Sequence, residues 1–263
     1  MAVGYGSKAK NTGALAANQS AALGAYSFSA NEGKANDDNT FAANSGIANG
    51  IKAFAVNKGY TNGEATFAAN GGRSIGSFAF AANEGTAEGE YSFATNSGQA
   101  NGHHSFAANV GEASGYGSFS ANKGIANGVR GFAANEGKAN GSSAFAANEG
   151  IAEVEASFAA NKGQTKGYYS FAANNGVAHD YMTFAANLAN AKGEASFAAN
   201  AGEASGYGSF SANKGTASGE ASFVANVGKA TGQGAFAANI GIANSEVSFA
   251  ANVGKANNYG TFA

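Results

Sequence analysis

Phenylalanine returns every 13 residues through this 263-residue chain, and that period constrains the fold more than any other feature. Nineteen of the 20 Phe fall in the series, which begins at Phe28 and ends at Phe262, with Leu15 in the preceding place. With the Phe place taken as slot 0, nineteen full repeats run from Leu15 to Thr261 without an insertion. Residues 1–14 form a degenerate first repeat, and residues 262–263 begin another that is cut short. Asn fills slot 3 in all nineteen repeats, Gly fills slot 5 in seventeen, Ala slot 7 in sixteen and Gly slot 9 in fourteen. Residues 111–124 and 202–215 are identical and lie seven repeats apart, as duplication of a seven-repeat block would leave them. No linker interrupts the pattern, so one continuous domain over residues 1–263 is expected.

Thirteen residues are too few for a pair of helices, and two Gly per repeat would weaken any helix by roughly 1 kcal/mol each. Constrained and free positions alternate with period two across slots 5 to 9, the mark of a strand. The expected fold is therefore all-β: a parallel β-solenoid, or β-roll, of about 20 coils with one repeat per coil. At ~4.8 Å per coil the stack would make a rod roughly 95 Å long. The absence of Pro agrees, because a chain that needs nearly every backbone N–H in a ladder has no room for it.

Stacking in register turns each slot into a ladder. Phe28, Phe41, Phe54, Phe67, Phe80, Phe93, Phe106, Phe119, Phe132 and Phe145 begin the main apolar ladder. Asn31, Asn44, Asn57, Asn70 and Asn83 belong to a second, able to hydrogen-bond amide to amide along the axis. The Gly of slots 5 and 9 are expected to turn corners or to let backbones approach closely. Slots 4, 6, 8, 10 and 11 carry nearly all the charge and are expected to face solvent. Slots 0 and 2 point to one side of the strand, and slots 12 and 1 to the other. Slot 12 holds only Ser, Thr, Ala and Gly, and slot 1 only Ala, Ser and Val. Both sides being restricted, slot 1 and slot 12 are assigned to an outward face covered by a regular partner. The place of Phe, inside each coil or between chains, stays open.

Composition narrows the function. Ala (64) and Gly (40) dominate, charged residues are 12%, and the net charge is −2, so no basic excess exists to neutralise nucleic-acid phosphates. Without Cys there is no disulfide framework, thiolate metal site or thiol nucleophile. No apolar run approaches the ~18 residues that span a bilayer, and no signal peptide is expected in this chain. His103 and His104 share slots 10 and 11 of one coil and His179 sits at slot 8 of another, a scatter that reads as surface His. Asp37-Asp38 reads as a solvated turn. No catalytic residue, cofactor or metal ligand is expected, and the chain is not read as an enzyme. One corner is distinctive: Tyr116, Tyr168, Tyr181, Tyr207 and Tyr259 all occupy slot 10, a candidate contact surface.

The repeat resembles the head repeats of trimeric autotransporter adhesins, the YadA-like β-roll. Ser27-Phe28-Ser29-Ala30-Asn31 and Ser105-Phe106-Ala107-Ala108-Asn109 match the first part of that motif, and Gly111, Ala113 and Gly115 the second. Ala2-Val3-Gly4-Tyr5-Gly6-Ser7-Lys8-Ala9 and Ser20-Ala21-Ala22-Leu23-Gly24 come closer still. Here the period is shorter, Asn replaces the Gly after the strand, and Phe replaces Val. The resemblance implies a left-handed coil and a homotrimeric, surface-exposed rod that binds host or matrix molecules. The expected function is thus an extracellular structural or adhesive protein, a rod or filament formed by self-association. Ends without an evident cap also fit subunits that continue one another as a filament. The alternative is an ice-binding solenoid using a flat Ser/Thr/Ala face from slots 12 and 1.

Overall fold

The computed structural model describes residues 1–263 and contains no helix. It is a parallel β-solenoid of about 20 turns, one repeat to a turn. The chain falls into two compact units, Met1–Ala134 and Asn135–Ala263, of the same build. Each turn has a longer strand over slots 0 to 2, such as Phe41–Ala43, and a shorter one over slots 6 and 7, such as Ile47–Ala48. Every strand pairs in parallel with its equivalent one repeat away: Phe67 with Phe80, Ala68 with Ala81, and Tyr60 with Arg73. In the second unit Phe171, Ala172 and Ala173 pair likewise with Phe184, Ala185 and Ala186. Turns join the ladder too, with Ser45 N–H donating to Asn31 O at 2.9 Å and Asn44 N–H to Ala30 O at 3.2 Å.

The interior corrects the assignment made from sequence. Slots 12 and 1 do not form an outward face; they fill the coil together with slots 5 and 7. Ala42, Ala48, Ala146 and Ala172 are 0% exposed, and Ser27, Ser105 and Thr66 are at most 2% exposed. Phe lies outside, partly exposed, with the slot 2 Ala beside it. The physical reason is size. The two strands of one turn lie so close that the space between them takes a methyl, a hydroxyl or a hydrogen but no ring. Side chains alternate along the strand, so placing slot 1 inside puts slots 0 and 2 outside.

Buried hydroxyls have partners. Ser27 Oγ donates to Gly24 O at 2.6 Å, Thr66 Oγ1 to Gly63 O at 2.9 Å, and Ser29 Oγ to Gly33 O at 2.6 Å. Slot 12 therefore favours Ser and Thr because the hydroxyl satisfies a carbonyl at the corner just before it. Gly is required where backbones crowd. A Cβ on Gly102 would lie 2.1 Å from Gly115 O, and one on Gly46 would lie 2.3 Å from Ala55 O.

The turn after the longer strand explains the Asn of slot 3. Asn44 and Ser45 have φ of 50° and 63°, and Asn70 has 51°, the left-handed region that Asn tolerates best after Gly. β-Branched residues resist it. Where slot 4 is Val227 or Ile240, the residue leaves that region and the strand extends through Asn226 or Asn239. The Val227 N–H then turns to the next coil, donating to Asn239 O at 2.8 Å, and Ile240 N–H does the same to Asn252 O at 2.7 Å.

Candidate binding face

The longer strands of each unit present one apolar face. In the first unit the rings from Phe28 to Phe132 stack face to face, centroids 4.6 to 5.1 Å apart and planes within 11°. In the second, the rings from Phe145 to Phe262 stack at 4.5 to 4.9 Å and within 5°. Strand spacing dictates this distance, because each ring sits on the strand next to its neighbour's. Stacking covers the ring faces and leaves the edges to solvent, so the stripe is uncharged and only half-buried. Slot 2 adds Ala throughout except at Val56 and Thr95.

The Asn ladder borders this stripe. Asn31 Nδ2 donates to Asn44 Oδ1 at 3.1 Å, Asn44 to Asn57 at 2.9 Å, Asn57 to Asn70 at 3.0 Å and Asn70 to Asn83 at 3.1 Å. In the second unit the same chain of bonds runs from Asn135 to Asn252. Each amide gives one N–H and accepts one, so the ladder is polarised along the axis.

The Tyr corner is exposed: Tyr116, Tyr168, Tyr181, Tyr207 and Tyr259 are 41 to 73% accessible. They do not form one continuous array. Tyr181 meets Tyr169 edge-on at 5.7 Å, and Tyr116 meets His104 edge-on at 5.3 Å. The stack at this corner that sequence reading missed is Phe78–Tyr91–His104, with centroids 4.9 and 5.0 Å apart. The signal was in the sequence: Phe78 is the one Phe outside the main series, and it lies 13 residues before Tyr91 in slot 11.

The titratable groups do not gather. His103 Nδ1 lies 3.7 Å from Glu90 Oε2, and both side chains are largely exposed. No group of three or more His, Asp or Glu could hold a metal ion. Asp38 Oδ1 accepts from Ala25 N–H at 2.6 Å, and Asp37 O accepts from the Thr40 hydroxyl, so this pair shapes a corner. His179 stands between Lys166 and Lys192 of the flanking turns; its burial, and then the two ammonium groups, hold its pKa below the usual 6.5. The Ser, Thr and Ala of slots 12 and 1 lie inside, so the flat face that an ice-binding reading drew from them is not on the surface.

By fold the chain belongs to the class of parallel β-solenoid repeat proteins. No protein-family model matches it, and no curated protein matches it. No helix long and apolar enough to cross a membrane is present.

Proposed function

We propose that this protein is an extracellular structural or adhesive element that works as a homo-oligomer, with the Phe stripe as the surface its copies cover. The observation that carries the reading is a stripe of stacked, half-buried rings with no charged residue in slots 0 or 2. A three-residue strand is about 10 Å wide, and nine or ten rings at strand spacing run about 40 Å, so each unit offers about 400 Å². The two units together offer about 800 Å², the share one partner contributes to a stable interface. A contiguous apolar patch of that size on a monomer marks an interaction site. A second copy suits it best, because it carries rings at the same 4.5 to 5.1 Å spacing. The resemblance to adhesin head repeats supports the extracellular setting and a subunit number of three, and the exposed Tyr corner would then remain free for a host or matrix ligand.

Light scattering on a size-exclusion column tests this. The parent chain should run as a defined or growing oligomer. Ala186→Glu, at slot 2 beside the stripe, should lower the native mass at least to that of smaller species with the circular dichroism unchanged. A monomeric parent chain would overturn the proposal.

A further inference from the structure

We infer that copies of this chain associate through the Phe stripe without a fixed register, offset by whole turns, so that assembly is staggered and open-ended. The inference rests on the self-association proposed above. A surface specifies register only through features that fail to superpose after a shift. In the second unit no such feature exists. Slot 0 is Phe in all ten places from Phe145 to Phe262, and slot 2 is Ala in all nine from Ala147 to Ala251. The ring spacing there varies only between 4.5 and 4.9 Å. Moving one copy along another by one turn therefore restores every contact except those at the overhanging end. In the first unit the stripe departs from uniformity only at Leu15, Val56 and Thr95.

Charges could in principle set the register, but those bordering the stripe are exposed. The slot 4 pair Lys162 and Glu149, for instance, lies 3.5 Å apart with both side chains more than half accessible. Such groups are solvated and screened, and they discriminate weakly between offsets. An offset pair leaves part of each stripe uncovered, and the exposed part accepts a further copy in the same way. That is a non-closing contact, which grows into a fibre of variable length.

Cross-linking tests this cleanly, because the chain has no Cys. Ala160→Cys and Ala212→Cys place one thiol each at slot 2, four turns apart, a separation of about 19 Å. The two variants are mixed, assembled and treated with a bismaleimide whose reach is under two turns. Circular dichroism and light scattering confirm that each variant folds and assembles as the parent does. Staggered association gives both like cross-links, 160 to 160 and 212 to 212, and unlike ones, 160 to 212, in yields within about tenfold of each other. One class alone, like or unlike, means a single fixed register and overturns the inference while leaving the self-association proposal standing. No cross-link in an assembled sample means that the copies meet through another face, which overturns both. A parent chain that stays monomeric defeats the proposed function itself before register is asked.

Discussion

At the level of single residues, two ladders show how one side chain can serve two demands. Asn70 has to adopt a φ of 51° and also relay an amide bond at 3.0 Å from Asn57 and 3.1 Å to Asn83. Gly would meet the first demand, Gln the second, and Asn alone meets both, so it fills slot 3 in every full repeat. Asn70→Ala should cost about 1–3 kcal/mol in chemical unfolding, from lost hydrogen bonds and left-handed backbone strain. Asn70→Gly should cost less, and a larger loss for Gly than for Ala would show that backbone conformation is not at issue. His179 gives a pH dependence. Its folded pKa lies below 6.5, so the fold favours the neutral ring. Its contribution is complete above the unfolded pKa and declines as pH falls through about 6.5 towards the lower folded value. Melting temperature should fall between about pH 7.5 and about pH 5. His179→Asn should flatten part of that fall; an unchanged slope would remove His179 from the account.

At the level of the strand, alternation decides everything. The pattern Ser-Phe-Ala-Ala-Asn holds two apolar sets on opposite sides, and both looked restricted because both are: one by the narrow interior, one by the stripe. Full burial of Phe, which from sequence would make Phe145→Ala cost roughly 3–5 kcal/mol, does not describe these rings. They keep exposed edges and lean on each other at 4.5 to 5.1 Å. Phe171→Ala should therefore cost about 1–2 kcal/mol in the unassembled chain, and a much larger loss would mean that the ring supports the coil. Ala146 changes role in the opposite direction. It is 0% exposed, so a Glu there would disrupt the coil rather than an interface. The assembly test accordingly moves from slot 1 to slot 2, where Ala186 stands beside the rings.

At the level of the whole molecule, each turn contacts chiefly the turns before and after it, as the pairing of every strand with its equivalent 13 residues away shows. Stability then accumulates turn by turn. Removing residues 171–183, one full repeat of the second unit, should leave far-ultraviolet circular dichroism per residue unchanged and lower the melting temperature slightly. Removing 171–182 instead should shift every later residue by one place, turn Phe inward at one turn, and cause local unfolding. Equal behaviour of the two deletions would refute in-register stacking as the source of order.

Period, composition and the lack of Pro were enough to determine a parallel β-solenoid with one repeat per turn, since only stacked coils reuse a 13-residue pattern this faithfully. The Asn ladder and the crowding at Gly were legible for the same reason: stacking follows from period alone. Which side of the Phe strand is the inside was not legible. Alternation assigns two faces but does not label them, and hydrophobicity points the wrong way, since it favours burying Phe. Only the tertiary structure settles it, through the distance between the two strands of a turn, which admits Ala42 and Ala48 and excludes a ring. The largest apolar side chains of the protein are thereby turned outward, onto the one face that a neighbouring copy can cover.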